Sequence, residues 1–156
     1  MNDKTRQDMM NVNFGVIYGK TETPIMSERK YNLTVTEEQA GVLADALDLF
    51  ARIGIGQFEE ILQVYDPAAK LPLEVREGIR ALLDATKEVA GHPRSGSYGI
   101  HNSKVPDRFR VAYDMKQVVQ HRVAWDRNPK GGIQVQYDEP DRTSELAQLA
   151  TLTEIK

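Results

Sequence analysis

The chain has 156 residues, 40% hydrophobic and 28% charged, with a formal net charge of −3 and no cysteine. This length supports one core rather than two, and the missing thiols exclude disulfides, thiolate zinc sites and cysteine nucleophiles. No apolar run approaches the ~18 residues of a bilayer span, and the N-terminal MNDKTRQDMM lacks a signal-peptide core, so a cytoplasmic protein with no membrane contact is expected.

Residues 1 to 11 are polar and read as a flexible tail before a single domain over residues 12 to 156. Val12, Phe14, Val16 and Tyr18 alternate with polar or small residues, which predicts a strand. Thr21 to Lys30 reads as a loop, and the alternation of Tyr31, Leu33 and Val35 predicts a second strand. Thr36-Glu37-Glu38-Gln39 is a capping box that starts a helix, with Ala40, Leu43, Leu47, Phe50 and Ile53 at core spacing. Gly54 and Gly56 end it. A short helix around Phe58 to Leu62 stops before Asp66-Pro67. A third helix, Leu73 to Ala90, carries Val75, Ile79, Leu82, Leu83 and Val89 as its core stripe and ends at Gly91-His92-Pro93.

Residues 91 to 106 form a Gly, Ser and Pro loop, and Pro106 suits the first turn of a fourth helix running to about Trp125. After the turn at Lys130-Gly131-Gly132, Ile133, Val135 and Tyr137 alternate as a third strand, with Leu149 and Leu152 further on able to reach the body. Four helices between terminal strands predict an α+β fold with a small, largely antiparallel sheet of three to four strands.

Charge is unevenly placed. Residues 92 to 130 hold eight Lys or Arg against three acids, a balance of +5, while the remaining residues balance at −8. All three histidines and the single tryptophan lie in the basic block. Cations, imidazoles and an aromatic face gathered in one quarter of an acidic chain point to an anion site. On a wheel of the fourth helix, Arg122 falls near the centre of an apolar arc and must snorkel, pair with a carboxylate or meet a ligand anion. Arg110, Asp114, Gln117 and His121 form a polar ridge beside the arc, with donors and acceptors in a line, and such a ridge is more often a solvated face than a site. Ser95 to Gly99 could offer hydroxyl and backbone donors to a phosphate, yet it lacks the ending of a P-loop, and a plain turn explains it as well. The candidate ligand-binding residues are therefore Ser97, Tyr98, Gly99, His101, Arg108, Arg110, Tyr113, Gln117, His121, Arg122 and Trp125.

Catalytic signatures are missing from the text. His92, His101 and His121 are too far apart for HExxH or HxH, the pairs Glu37-Glu38 and Glu59-Glu60 point apart on helices, and a Ser97–His–Asp114 triad has no supporting motif. No metal, cofactor or catalytic residue is expected. A sequence pI of about 5.6 disfavours a nucleic-acid groove, although Tyr98, Phe109, Tyr113 and Trp125 interleave with cations as a stacking surface would.

The segments 33 to 62, 97 to 101 (SYGIH) and 110 to 145 resemble small accessory proteins of tailed phages and prophages, a likeness covering roughly residues 31 to 145. This resemblance implies a phage protein that counters host defence in the host cytoplasm. With the anion site, it leads to the expectation of a non-enzymatic sponge that sequesters a small phosphorylated nucleotide signal, such as a cyclic dinucleotide or a cyclic ADP-ribose derivative. Alternatives are a protein-interaction module that inhibits a host enzyme and a metal-independent nucleotide hydrolase. A homo-oligomer is expected, because a site between subunits buries a small ligand better than a shallow groove.

Overall fold

The computed structural model describes residues 31–146 and 148–153. The chain divides into two units, Met1–Thr34 and Val35–Lys156. Tyr31 to Thr34, the described part of the first, is irregular and exposed. The second holds α1 (Glu37–Ile55), α2 (Glu60–Tyr65), α3 (Leu73–Val89), α4 (Asp107–Arg127) and a 3-10 turn, Val135–Tyr137.

The expected α+β fold is corrected here: the described residues are 54% helix and contain no strand or sheet. The strand expected at 12 to 18 and the tail at 1 to 11 lie outside the described residues. Tyr31 to Val35 is irregular, and Ile133 to Tyr137 closes into the 3-10 turn, where the Tyr137 N–H donates to the Gln134 carbonyl at 3.0 Å. Alternation supplies only a face; a strand also needs a ladder partner and a core to bury that face against. Among the described residues Leu33 and Val35 have no ladder partner, and Ile133 and Val135 stand 106% and 78% exposed.

The helices form where their patterns place them. The Gln39 N–H donates to Thr36 Oγ1 at 3.2 Å, and the Thr36 N–H donates to Gln39 Oε1 at 2.9 Å, completing the capping box of α1. Its other end is Gly56 at φ +89°, whose N–H returns to the Arg52 and Ile53 carbonyls. This left-handed geometry favours glycine.

The buried face of α1 differs from the expected one. Ala40, Ala44, Ala51 and Gly54 are buried, whereas Leu43 and Leu47 flank them half-buried and Phe50 is 43% exposed. Small residues face α4 because that helix lies very close. Phe109 sits directly on Gly54, where an added Cβ would fall 2.1 Å from the ring, and Phe50 meets the other side of Phe109 at 4.8 Å between centroids. Glu37 pairs with Arg127, Asp48 with Lys116 and Gly54 with Phe109, so the two helices run antiparallel. Val119 packs against Ala40 and Ala44, with Val35, Leu43, Val123 and Leu152 around them.

Beyond Gly56, the buried Asp66 organises the turn into α3 by accepting from the Lys70 and Leu71 N–H groups and from Arg76 Nη1. Among the described elements, α3 packs only on α2. Its expected core stripe is largely outside: Val75, Leu82 and Val89 are 46%, 71% and 79% exposed, and the one buried residue of the helix is Lys87. Lys87 Nζ donates to the Gly96 carbonyl at 2.6 Å. The Tyr98 N–H donates at 2.8 Å to the Ile55 carbonyl, so the loop after α3 closes over the C-terminal end of α1.

The Gly54 contact predicts a sharp contrast between two glycines of one helix. Gly54→Ala should lower stability by about 1–3 kcal/mol or more through overpacking against Phe109. Gly41→Ala, with nothing within 4 Å of the new Cβ, should raise stability by up to about 1 kcal/mol through helix propensity. Urea unfolding midpoints of the two variants check both signs.

Candidate binding surfaces on the fourth helix

The polar ridge of α4 is not a solvated face. Asp114 is 3% exposed, and its two oxygens take the backbone N–H groups of Thr143 and Ser144 at 2.9 and 3.0 Å. The same oxygens take the Thr143 and Ser144 hydroxyls at 2.7 and 2.5 Å. Gln117 clamps both backbone groups of Asp141: Nε2 donates to the carbonyl at 3.1 Å and Oε1 accepts from the N–H at 3.4 Å. Asp107 accepts from the Glu145 N–H at 2.8 Å. Residues 107, 114 and 117 lie on one side of a helix, and together they hold residues 141 to 145 as an irregular strap that bends at Ser144 and Glu145. On the same ridge, Arg110 Nε and His121 Nδ1 are buried without a hydrogen-bond partner.

The strap returns from α4 through Asn128 to Gly132. Asn128 Nδ2 donates to the Gly131 carbonyl at 2.5 Å, and Gly131 takes φ +76° beneath the Trp125 ring. Trp125, 38% exposed, meets Tyr137 edge-on at 5.5 Å and His121 at 6.2 Å. Arg122, expected near the centre of an apolar arc, reaches outward and pairs with Asp126 at 2.6 Å, its side chain 37% exposed.

At the other end of α4 the loop residues gather. The Asn102 carbonyl accepts from Arg110 Nη2 at 3.0 Å, and the Asn102 N–H donates to the Gly99 carbonyl at 2.9 Å. Ser97 Oγ accepts from Gln57 Nε2 at 3.3 Å. Lys104 Nζ lies 5.4 Å from the Tyr98 ring centroid, Arg108 lies over Phe109 at 4.7 Å, and His101 is exposed. Tyr98 also packs on His92, which sits between Phe58 and Tyr98 and against Gly56. Burial, and secondarily the charge of Lys87, hold the His92 imidazole below its ordinary value.

Tyr113 faces a third environment. It lines a cleft of about 250 Å³ with Asp48, Arg52, Gln57 and Lys116. Asp48 bonds Arg52 Nε at 2.5 Å and Lys116 at 3.2 Å, and Arg52 also reaches Gln57 and Glu60. Hydrogen bonding to Asp48 raises the Arg52 guanidinium above its ordinary range. The cleft's cations are thus already matched by carboxylates.

The fold brings together Ser97, Tyr98, Gly99, His101, Arg108 and Arg110 at one end of α4, and His121, Arg122 and Trp125 at the other. Arg108 and Trp125 are separated by about 25 Å along the axis, at 1.5 Å per residue. Gln117 belongs to the strap and Tyr113 to the cleft. A second cleft of about 280 Å³, between α1 and α4 and closed by Gln134, Gln136 and Tyr137, contains none of the expected residues. Both clefts fall just short of the roughly 300–1,000 Å³ of small-molecule sites.

Sequence reasoning missed the roles of Thr143, Ser144 and Asp141, which lie 24 to 30 residues from their partners. The only signal for them was the ridge spacing itself. It also missed the buried Lys87. Among the described residues no group of three or more His, Asp or Glu side chains could hold a metal ion, and no helix is long and apolar enough to cross a membrane. Comparison with family models, curated proteins and solved structures finds no match.

Two predictions follow from this geometry. Asp114→Ala leaves four buried donors without their acceptor and should lower stability by roughly 3–5 kcal/mol. Arg122→Met removes an exposed pair and should change it by less than about 1 kcal/mol. Denaturant unfolding that ranks the two in the opposite order refutes the assignment of Asp114 as the clamp.

For His92, folding favours the neutral ring, so the stability it contributes is complete above the unfolded value near 6.5 and is lost as pH falls through that value toward the lower folded one. His92→Phe should therefore flatten the acid-side decline in the urea midpoint between about pH 7.5 and 5. Parallel declines in the two proteins would show that the imidazole does not cause it.

Proposed function

We propose that this chain acts by binding rather than by catalysis, and that it docks a protein partner on α3. The observation that carries the reading is the exposed seam of that helix. Val75, Gly78, Leu82, Ala85 and Val89 recur at i, i+3, i+7, i+10 and i+14, all exposed. This 3.5-residue period is the narrow stripe of a helix–helix seam, not the broader face of a globular core. Gly78 and Ala85 allow close approach.

Glu74, Glu77, Asp84 and Glu88 line one flank of the seam, all exposed, while Arg76 on the opposite side is spent on Asp66. A partner helix with an apolar stripe and basic flanking residues complements this surface. Two copies laid antiparallel through α3 bring acidic flank to acidic flank, so the surface suits a different chain better than a second copy. In the phage setting that the resemblance implies, that chain is a host enzyme, held in an inactive complex.

A second reading keeps the nucleotide sponge. It is favoured by the corner at the start of α4, where Tyr98, His101, Lys104, Arg108 and Arg110 gather a ring face and four basic side chains around a loop tied down at Asn102. A compact phosphorylated nucleotide would meet cations and a stacking surface there. The small open clefts weigh against it for a single chain; a site shared by two copies would remove that objection.

Leu82→Lys should leave the melting temperature within a few degrees, since Leu82 is 71% exposed, and should abolish partner capture. A host protein retained by the wild-type chain, identified, purified and bound back at least tenfold more weakly by Leu82→Lys is the expected result. Equal retention by both chains overturns the α3 reading. A thermal shift with a nucleotide panel, lost in an Arg108→Ala variant and followed by release of intact ligand on heating, would establish the sponge instead.

A further inference from the structure

The strap on α4 is held in an unusual way. The segment is irregular and bends at Ser144 and Glu145, and side chains of one helix, rather than other backbone, bond its main chain. Gln117 takes both the N–H and the carbonyl of Asp141, Asp114 takes two consecutive N–H groups, and Asp107 takes a fourth N–H at Glu145. Such bonds suit the grip of a bent peptide: a side-chain amide brackets one residue, and a carboxylate takes successive amides where the chain turns.

Side-chain selectivity comes from the same carboxylate. Asp114 is buried, and its oxygens also accept from the Thr143 and Ser144 hydroxyls. An apolar pair of residues there would withhold two donors from a buried charge. The groove therefore reads backbone at three places and two neighbouring hydroxyls at one.

The segment that fills it fits incompletely. Arg110 Nε and His121 Nδ1, on the same ridge, are buried without hydrogen-bond partners, so the strap leaves two polar atoms of the ridge unsatisfied. The connection back to α4 contains Pro129, Gly131 and Gly132, with Gly131 at positive φ, a short joint between the helix and the strap. The strap contains no α-helix or strand of its own after the 3-10 turn.

We propose that the ridge of α4 is a recognition groove for a peptide that bends at two consecutive hydroxyl residues, and that residues 137 to 145 occupy it in cis as an autoinhibitory strap. A competing peptide takes the same bonds from Gln117, Asp114 and Asp107, and improves on the strap where it offers acceptors to Arg110 and His121. Strap release leaves α1 against α4, because that contact lies on the alanine and glycine face of α1. The groove is separate from the α3 seam and stands or falls independently of it.

The test uses the full chain and a fluorescent peptide of its own residues 137 to 146, YDEPDRTSEL. Thr143→Val with Ser144→Ala removes the strap's two hydroxyls while leaving the groove intact. Anisotropy should show the peptide binding this double variant at least tenfold more tightly than the wild-type chain, and adding Asp114→Asn should reduce that binding at least tenfold. Equal affinity for the wild-type chain and the double variant, or binding that survives Asp114→Asn, overturns the proposal.

Hydrogen exchange on the wild-type chain covers the case in which the double variant does not fold. The amides of Thr143, Ser144 and Glu145 should exchange at least tenfold faster than that of Val119 in the middle of α4, the signature of a strap that opens while its helix stays formed. Exchange at the rate of Val119 makes the strap an inseparable part of the helical pair and overturns the proposal.

Discussion

Helices α1 and α4 can lie as close as they do because the side chains between them are small, and the rest of the second unit depends on that approach. Ala40, Ala44, Ala51 and Gly54 form a shallow groove along α1, filled from α4 by Phe109, Ala112 and Val119. A leucine at any of these positions would hold the helices apart. Close approach has a consequence for the larger apolar residues: Leu43 and Leu47 are displaced to the flanks, and Phe50 is left partly in solvent, resting on Phe109. The packing is therefore dense but thin, and α4 has only one face against α1.

The far side of α4 has to be covered by something other than a helix, and the strap covers it with polar contacts. A buried carboxylate accepting four hydrogen bonds is a stronger constraint than the exposed ion pairs around it, since leaving even part of that set unmade costs several kcal/mol, while an exposed pair contributes about 1 kcal/mol or less. Much of the basic character of residues 92 to 130 is absorbed in such pairs. Arg122 lies on Asp126, Arg127 on Glu37, Lys116 on Asp48 and Arg94 on Glu88. Charge that looks concentrated along the chain is thus partly neutralised by acids from α1 and α3.

The third helix stands in a different position. Its attachment runs through polar residues, Arg76 onto Asp66 and Lys87 onto the Gly96 carbonyl, with Ile79 and Leu83 half-buried between them. This leaves the heptad stripe one-third of a turn away, facing solvent. Exposure of an apolar stripe beside a partly polar attachment is unusual for a surface helix, and it is the observation behind the proposed docking role of α3.

The local features were legible in the residues alone. The capping box at Thr36, the stop at Gly56, Pro106 before α4 and the spacing along each helix depend on hydrogen bonds and dihedral preferences within a few positions, and the helices stand where those features place them. The strands at 31 to 35 and 133 to 137 were misread for the same reason, since alternation is local but a ladder partner is not. Which stripe faces inward was also beyond the sequence. On α1 the leucines signal a core more strongly than the alanines, and only the close contact with Phe109 selects the smaller face. On α3 the same apolar pattern serves a buried or an exposed seam, and the contacts of Lys87 and Arg76 choose between them. The ridge spacing at Arg110, Asp114, Gln117 and His121 marked a polar line on α4, but the segment that Asp114 and Gln117 hold begins two dozen residues later in the chain. The sequence by itself determined the helices and their ends, because those are settled by neighbours; the tertiary structure decided which faces are buried and what Asp114 holds, because those depend on groups brought together by folding.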